Sequence, residues 1–373
     1  MREISSLTLV LSDRCNFSCP YCPQQKGNNT LKIKDIRDFL DLLRTRLDRE
    51  VWLGFYGGEP LLSWPLVKKT VAHAEKYFRN RFRFTLTTNG SLLEKQHILF
   101  FRKHHFELLL SYDGLAQKNR DAKSVAAVKR ASDRLRRLYP DGYAINSVFT
   151  PKTVPLLAAS MEALLRQGHS RLQYTLDACV PWKKTDLAIL EKQLGRLMKI
   201  CLRYRQKTGK TPLESLNLTD GKGIFTCSAG RDRLALLPDR TVWGCYLFYD
   251  LLGHSRQNPD YAKYCFGELE GFMAGLEKGF PAVTANYAEL RQDFFFNEKK
   301  ELCCLCDDLE RCAVCPVVAA LATGTLAVIP VWTCKLKKIA RRVQGRPAAA
   351  LSSPHRYRLE AQRKTGGANF NGD

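Results

Sequence analysis

The chain has 373 residues, of which 45% are hydrophobic, so it is long enough to form two folded domains. Its 59 Lys and Arg residues outnumber its 37 Asp and Glu residues, which gives a formal net charge of +22. No segment approaches the roughly 20 consecutive apolar residues of a membrane helix, and no hydrophobic signal region opens the sequence. These features argue against a membrane protein and favour a cytoplasmic one, in which clustered thiols stay reduced and bind metal.

The first half of the chain alternates between strand-like and helix-like patterns. Apolar residues recur at helical spacing from Ile33 to Leu47, and similar segments follow at 63–79, 93–104, 122–138, 153–167 and 184–207. Strand-like runs lie between them, at 6–12, 51–56, 82–87, 107–112, 142–149 and 171–177. Six repeated β-α units predict an α/β fold with a parallel sheet. A barrel and a doubly wound open sheet share this pattern, which does not separate them.

The composition changes after the helix-like segment 184–207, near Gly209. Nine of the fourteen cysteines lie from Cys227 to Cys334. From Gln344 onward the chain is rich in Arg, Pro, Ala, Ser and Gly, with few large apolar residues, which is typical of disorder. We therefore predict a first domain at 1–210, a Cys-rich domain at 211–343 and a basic, disordered tail at 344–373.

Three cysteines lie close together near the start of the chain: Cys15, Cys19 and Cys22, in the run Cys-Asn-Phe-Ser-Cys-Pro-Tyr-Cys. A structural zinc site needs four protein ligands, usually in separated pairs. Three clustered thiolates can instead hold three irons of a [4Fe–4S] cluster and leave the fourth iron open. Three reduced thiols on a loop, or half of a zinc site, are the alternative interpretations.

A glycine turn follows the second predicted strand. The strand at 51–56 runs into Gly57, Gly58, Glu59 and Pro60. Paired glycines let the backbone approach a ligand closely, because no Cβ stands in the way. The carboxylate of Glu59 is suited to an ammonium group.

Two further turns end the next predicted strands. The strand at 82–87 leads into a Thr-Asn-Gly turn that contains Asn89. The strand at 107–112 leads into a Ser-Tyr-Asp-Gly turn that contains Ser111 and Asp113, and Arg120 follows. Each turn alone is an ordinary signal. Their positions at successive strand ends, where α/β barrels place their active sites, indicate one site.

The cysteine motif and these turns together resemble the radical S-adenosylmethionine (SAM) enzymes. The resemblance implies a partial (β/α)6, TIM-like barrel, with a [4Fe–4S] cluster on Cys15, Cys19 and Cys22 whose open iron chelates SAM. In that family an electron from the cluster splits SAM to a 5′-deoxyadenosyl radical. The Gly-Gly-Glu-Pro turn binds the amino group of SAM, and the later strand ends meet its ribose or carboxylate. The residues implied to surround SAM are Tyr21, Gly57, Gly58, Glu59, Asn89, Ser111, Asp113 and Arg120.

A second group of cysteines lies in the C-terminal part of the chain. Cys227 and Cys245 flank a stretch whose pattern predicts a β-hairpin with a Pro-Asp turn. Further along come Cys303, Cys304, Cys306, Cys312, Cys315 and Cys334. Paired C-x2-C spacings are typical of zinc sites with four cysteine ligands, so a zinc domain is the alternative interpretation of this region.

This second group resembles the SPASM domain, a C-terminal extension of many radical SAM enzymes that holds two auxiliary iron–sulfur clusters. The resemblance implies a first auxiliary [4Fe–4S] cluster on Cys227, Cys245 and Cys315, and a second one on Cys303, Cys306, Cys312 and Cys334. Cys265 is the candidate fourth ligand of the first cluster, with an open iron as the alternative, and Cys304 is a rival to Cys303. Cys179 and Cys201 are interpreted as core thiols, because free Cys packs as a small hydrophobe.

Two positions depart from the usual SPASM pattern. Arg240 stands where the pattern has a glycine, and the spacing from Cys312 to Cys315 is one residue short.

SPASM proteins mostly modify peptides or proteins. The first hypothesis is therefore a maturase that oxidatively crosslinks or otherwise modifies a ribosomally made peptide. The second is an anaerobic sulfatase-maturating enzyme, which oxidises a Cys or Ser of its client to formylglycine. Those enzymes carry an Asp base directly after the Cys that ends the hairpin, whereas Tyr246 stands there in this chain and Asp250 lies four residues further on. This departure favours the peptide maturase, and the catalytic residue stays open, with Tyr246 and Asp250 as candidates.

The charge of the chain suggests a third hypothesis, a non-catalytic metal-binding adaptor that holds nucleic acid. No DNA- or RNA-binding motif accompanies the charge, and a peptide or protein substrate of acidic composition suits it better. A flavodoxin or ferredoxin is the expected electron donor. Only fourteen residues precede Cys15, so a leader peptide is expected to bind elsewhere or on a partner protein. The sequence does not identify the modified residue, the bond that forms or the oligomeric state.

Overall fold

Six parallel strands form the first part of the molecule. The computed structural model describes residues 3–214, 228–253, 255–290, 295–309, 312, 314–326 and 328–351. The strands are β1 (Ile4–Val10), β2 (Leu47–Tyr56), β3 (Phe82–Thr88), β4 (Glu107–Ser111), β5 (Tyr143–Phe149) and β6 (Leu172–Leu176). Each pairs in parallel with the next along the chain. The predicted parallel α/β architecture is confirmed, as an open sheet in which β6 and β1 do not pair.

Helices connect these strands and cover them. They are α1 (Ile33–Leu43), α2 (Trp64–Phe78), α3 (Lys95–Lys103), α4 (Val125–Leu138), α5 (Leu157–Arg166) and α6 (Lys184–Thr208). Their periodic apolar residues form the buried faces; in α1, for example, Phe39 and Leu43 are fully buried. The prediction that the first helix includes Leu47 is wrong. Leu47 begins β2 and pairs with Ile4, so its buried side chain belongs to the sheet.

The C-terminal part continues the same sheet. Strand β7 (Arg233–Leu236) pairs in parallel with β1. It then forms an antiparallel hairpin with β8 (Thr241–Trp243), which pairs with β9 (Cys265–Glu268). The predicted hairpin is confirmed, and Arg240 in its turn has a left-handed backbone (φ 69°). That conformation explains why the usual SPASM pattern has a glycine at this position.

Short elements complete the Cys-rich region. They are α7 (Tyr246–Phe248), α8 (Tyr261–Tyr264), α9 (Leu269–Gly275), α10 (Pro281–Glu289), β10 (Phe296–Asn297), α11 (Pro316–Thr323), β11 (Val328–Ile329) and α12 (Val331–Leu351). Helix α12 packs along α6, and Phe272 of α9 contacts Phe39 of α1 with their ring centroids 6.0 Å apart. Both contacts fasten this region to the first part of the chain.

Helix α12 includes residues 344–351, the first eight residues of the segment for which the sequence predicts a disordered tail. The rest of that tail, 352–373, lies outside the described residues. Among the helices of the described ranges, none combines the length and the apolar composition needed to cross a bilayer.

Candidate active site

The carboxyl ends of β1 to β4 bring the predicted site residues together. Because neighbouring parallel strands run in the same direction, the segments that follow them emerge at one edge of the sheet. The cysteine loop follows β1, and the Gly-Gly-Glu-Pro turn follows β2. Asn89 follows β3, and half-buried Ser111 is the last residue of β4.

The thiols of the cysteine loop lie close enough to influence one another electrostatically. Cys19 interacts with both Cys15 and Cys22, and burial raises the pKa of the Cys19 thiol to about 11. The backbone N–H of Phe17 donates to Cys15 Sγ at 3.4 Å, which turns the chain around that sulfur. The loop therefore gathers three thiols in one small volume.

The donor set of the loop suits a cubane cluster. In a [4Fe–4S] cluster each thiolate binds a different iron. The three thiols of the loop lie within electrostatic range of one another. Three thiolates on such a cluster would leave one iron without a protein ligand.

The two glycines of the Gly-Gly-Glu-Pro turn let it pack directly against the cysteine loop. Gly58 N–H donates to Ser12 O and Glu59 N–H donates to Arg14 O, each at 2.9 Å. A Cβ added at Gly58 would stand 2.2 Å from the Arg14 carbonyl oxygen and 2.9 Å from the Cβ of Cys15. The site therefore requires glycine at position 58 for contact with the loop itself.

Glu59 is buried, and protein donors surround its carboxylate. Oε1 accepts hydrogen bonds from Leu61 N–H at 3.1 Å and from Thr88 Oγ1 at 2.8 Å, and Oε2 accepts one from Asn89 N–H at 2.8 Å. Burial raises the pKa of Glu59 to about 7, and the three donors act against that rise. The carboxylate thus ties the end of β2 to the end of β3, a role that the sequence pattern did not indicate.

Asn89 connects this edge to the cysteine loop. Its Nδ2 donates to the Oδ1 of Asn16 at 2.9 Å, and Asn16 Nδ2 donates to Ser91 Oγ at 2.8 Å. These bonds fix the side chain of Asn16, which lies between Cys15 and Phe17, to the turn after β3.

Buried Asp113 and Arg120 form a network with half-buried Tyr21. Arg120 Nε and Nη2 donate to the two carboxylate oxygens of Asp113 at 3.0 and 2.8 Å. Tyr21 OH donates to Asp113 Oδ2 at 2.9 Å, and Val148 N–H donates to Oδ1 at 2.7 Å. The Arg120 guanidinium carbon lies 5.4 Å from the centre of the Tyr21 ring. These three residues therefore link the cysteine loop to the ends of β4 and β5.

The second group of cysteines also contains neighbouring thiols. Cys303, Cys306, Cys312 and Cys334 influence one another, and burial raises the pKa of the Cys334 thiol to about 12. Cys304 is exposed, whereas Cys303 is half-buried.

The proposed ligands of the first auxiliary cluster are described only in part. Cys227 lies outside the described residues. The Sγ atom of buried Cys265 accepts a hydrogen bond from the backbone N–H of Gly267 at 3.3 Å. Cys15 Sγ accepts the equivalent bond from Phe17 N–H, which is also two residues further along the chain. Cys245 and Cys315 each precede a short helix, α7 and α11, and those helices pack together.

The structure separates the two cysteines that were interpreted as core thiols. Cys201 on α6 is buried, as expected. Cys179 is half-buried after the end of β6, within electrostatic range of Asp250 and Cys315, so its interpretation as a core thiol is wrong. The neighbouring Ala178 carbonyl accepts Trp332 Nε1 at 3.3 Å, and this bond holds the loop against α12.

Asp250 and Tyr246 lie at the contact between the cysteine loop and the Cys-rich region. The Tyr246 ring packs against the Tyr56 ring, with centroids 4.4 Å apart. Asp250 is within electrostatic range of Cys22 and of both tyrosines. Its Oδ2 atom is buried and has no hydrogen-bonding partner among the described residues. Burial raises the pKa of Asp250 to about 7, and nearby Asp13 adds to the rise.

Tyr56, Asp13 and Thr88 were not predicted from the sequence as part of the site. Tyr56 is the last residue of β2. Its position directly before Gly57 and Gly58 is the sequence feature that could have placed it in the site. Asp13 lies at the start of the cysteine loop and, with Tyr246 and Asp250, lines a narrow cavity of about 10 Å³. A cavity of that size holds one water molecule at most.

Comparisons with known proteins agree with this geometry. Residues 9–154 match the family model described as the Radical SAM superfamily. GTP 3′,8-cyclase of Mycobacterium ulcerans is 31% identical over 210 residues, 50% of this chain and 55% of the relative. The radical SAM cyclopropyl synthase TigE of Paramaledivibacter caminithermalis is 23% identical over 136 residues, 32% of this chain and 29% of the relative. The chain thus spans less than two thirds of each of these two relatives.

Two solved structures share the fold over most of the chain. The structure of anSMEcpe with bound AdoMet superposes with a TM-score of 0.74 at 16% identity, covering 96% of this chain and 97% of that one. Streptococcus suis SuiB bound to S-adenosylmethionine superposes with a TM-score of 0.62 at 17% identity, covering 89% and 77%. The similarity thus includes the Cys-rich C-terminal region, which is consistent with a SPASM-like domain.

The fold and the family match point to the same class of domain. Residues 9–154 form a radical SAM domain. Such a domain implies a [4Fe–4S] cluster and SAM as cofactors.

Proposed function

We propose that this enzyme reductively cleaves SAM and oxidatively modifies a peptide or protein substrate. The observation that carries the proposal is the fold shared with two proteins over both the parallel sheet and the Cys-rich region. Each of these proteins has also been solved with a peptide, anSMEcpe with the Cp18Cys peptide and SuiB with the precursor peptide SuiA. The GTP cyclase similarity covers only half of this chain, so it gives less support to a nucleotide substrate.

In this proposal, Cys15, Cys19 and Cys22 hold a cluster with an open iron, and the strand ends around Asn89 and Ser111 enclose SAM. When bound, the cluster supplies the electron that cleaves SAM. The protein residues fix the loop that carries the thiols, through Gly58, Glu59 and the Tyr21–Asp113–Arg120 network.

Two auxiliary clusters belong to the same proposal. The mutual influence of Cys303, Cys306, Cys312 and Cys334 supports one of them. The hydrogen bond from Gly267 N–H to Cys265 Sγ supports the assignment of Cys265 as a ligand of the other auxiliary cluster. The remaining proposed ligands of that cluster are Cys227, Cys245 and Cys315. Three [4Fe–4S] clusters require about 12 irons per chain. Iron and sulfide near that number after anaerobic reconstitution are expected, and stoichiometric zinc in their place would contradict the assignment.

We assign the role of proton acceptor to Asp250. After a hydrogen atom has been removed from the substrate, formation of a new bond requires the loss of one further electron and one proton. Asp250 offers a buried carboxylate oxygen without a partner among the described residues, between the cysteine loop and the Cys-rich region. Burial raises the pKa of Asp250 to about 7, and a pKa near neutrality suits a group that accepts a proton during the reaction.

Mass spectrometry of substrate peptides tests the proposed chemistry. The enzyme is incubated anaerobically with SAM, a reductant and a peptide encoded beside its gene. We expect a SAM-dependent loss of about two mass units per event, the mass of two hydrogens, because crosslinking removes two hydrogen atoms. Formation of 5′-deoxyadenosine without any change in peptide mass would contradict the proposed substrate class.

The second candidate function is sulfatase maturation. The whole-length superposition on anSMEcpe favours it, and Asp250 supplies a carboxylate near the position where those enzymes have their base. Tyr246 occupies that position itself, and its ring packs on Tyr56. A sulfatase-derived Cys or Ser peptide in the same assay separates the two functions. Formylglycine on that peptide, with the neighbouring peptide unchanged, would reverse the order of the candidates.

A further inference from the structure

The buried ion pair of Asp113 and Arg120 lies beside the cysteine loop. Both side chains are less than one tenth exposed. Tyr21 OH donates to Asp113 Oδ2 at 2.9 Å, and the Arg120 guanidinium carbon lies 5.4 Å from the centre of the Tyr21 ring. Because Tyr21 directly precedes Cys22, both charges of the pair lie near the thiols of the loop.

We propose that Arg120 raises, and Asp113 lowers, the reduction potential of the iron–sulfur cluster that Cys15, Cys19 and Cys22 hold. The inference rests on the proposed function, because it requires that cluster. It assigns to both residues an electrostatic role towards the cluster.

Hydrogen bonds to neighbouring groups fix the side chains of the pair. Both oxygens of Asp113 accept bonds from Arg120, and Tyr21 OH and Val148 N–H each donate a further one. Two of the Arg120 nitrogens donate to Asp113, and its guanidinium carbon lies 5.4 Å from the centre of the Tyr21 ring. The charges are thus held at fixed positions, and a fixed charge acts on a cluster in the same way during every turnover.

Elementary electrostatics gives the sign of each effect. Reduction adds one negative charge to the cluster, so a nearby cation favours the reduced state and a nearby anion disfavours it. Burial strengthens both effects, because the effective dielectric constant is lower than in water. Lys26 and Glu59 act on Cys15, and Asp250 acts on Cys22. These three groups are unchanged when the ion pair is altered. A difference in midpoint potential between the variants therefore reports the effect of the ion pair.

Redox titration of the full chain tests the proposal. The wild type, Arg120→Gln and Asp113→Asn are reconstituted anaerobically. Each is titrated by electron paramagnetic resonance, following the reduced-cluster signal that changes when SAM is added. We expect a lower midpoint potential for Arg120→Gln and a higher one for Asp113→Asn. Arg120→Lys keeps the charge and should stay near the wild type, as should Arg130→Gln, which alters an exposed arginine of α4.

The two expected shifts in midpoint potential have opposite signs, and this distinguishes an effect of charge from a general disturbance of the structure. Shifts of both variants in the same direction, or no shift in either, would overturn the proposal. If Arg120→Gln fails to retain iron, the shift in Asp113→Asn alone decides, because Asn keeps the shape of Asp: a higher potential supports the proposal and an equal or lower one overturns it. Absence of any SAM-sensitive signal in the wild type would instead contradict the proposed function.

Discussion

At the scale of single residues, Asp250 combines a buried carboxylate oxygen with a position near Cys22. We expect Asp250→Asn to keep its iron and to form 5′-deoxyadenosine, because the asparagine changes neither the cysteine loop nor the strand ends. Modification of the peptide should fall by about 10²- to 10⁴-fold, the usual contribution of a general base. Quantifying 5′-deoxyadenosine and modified peptide in the same reaction measures both steps.

Asp260→Asn is the matched control, because it makes the same substitution ten residues away on the same segment. It should modify the peptide at the wild-type rate. Equal peptide modification in Asp250→Asn and Asp260→Asn would exclude Asp250 as the proton acceptor.

Glu59 is the second residue whose environment predicts a measurable effect. Glu59→Ala leaves Thr88 Oγ1 and the N–H groups of Leu61 and Asn89 without their acceptor. A buried donor that loses its partner costs about 1–3 kcal/mol, so the free energy of unfolding should fall by at least that amount. SAM affinity should also weaken, because the end of β3 loses its tie to the turn. Anaerobic urea denaturation and SAM titration measure the two effects.

Glu50→Ala is the control for Glu59, since the ion pair of Glu50 with Arg83 is about half exposed. Surface pairs contribute about 0–1 kcal/mol, and this change should therefore be small. Unchanged stability in Glu59→Ala, combined with loss of SAM affinity, would show instead that the carboxylate contacts SAM directly.

At the scale of the elements, buried His169 between α5 and β6 gives the sheet a pH dependence. Its Nδ1 shares a 2.6 Å hydrogen bond with Tyr143 OH, and burial lowers the pKa of His169 to about 4. The unfolded chain binds this proton at a pKa near 6.5. The contribution of neutral His169 to stability is therefore complete above about pH 6.5 and is lost as the pH falls towards 4.

We expect the free energy of unfolding to decrease by up to about 3 kcal/mol over that interval because of His169 alone. His169→Gln should remove this part of the pH dependence. His105→Asn should retain it, because His105 is exposed. Urea denaturation at several pH values between 4 and 7 measures how steeply the free energy of unfolding changes with pH. Equal slopes of this dependence for the wild type and His169→Gln would contradict the prediction.

The sequence predicted the six parallel strands with only small errors in their bounds. Their apolar runs are buried in the sheet, and the turn dipeptides after them mark the strand ends. Leu47 was assigned to the wrong element, because an apolar residue at helical spacing is equally suited to the start of a buried strand. Its pairing with Ile4 is a tertiary contact that periodicity does not show.

At the scale of the whole molecule, the proposed domain boundary near Gly209 cuts a continuous sheet. Ser6, Leu7, Thr8 and Leu9 of β1 pair with β7 on one side and with β2 on the other. A fragment that ends at Gly209 would leave β1 with an unpaired edge and apolar side chains without cover. Exposed strand edges favour aggregation.

We therefore expect this fragment to elute from a gel-filtration column as large aggregates or to be insoluble under conditions in which the full chain is soluble. A monomeric fragment that unfolds cooperatively would show that the first domain is independent of β7.

The sequence was sufficient to predict the three-cysteine motif, the glycine turn and the strand-end residues. Each of these depends on local spacing or on the position where a strand ends. From them the sequence indicated the resemblance to radical SAM enzymes and the α/β fold. Only the tertiary structure decided which partners those residues have. It places Glu59 among protein donors, joins Asp113 to Arg120 and Tyr21, and brings Asp250 close to Cys22 across more than two hundred residues. Such contacts depend on how β7 and the Cys-rich region pack against β1, and no local pattern encodes that packing.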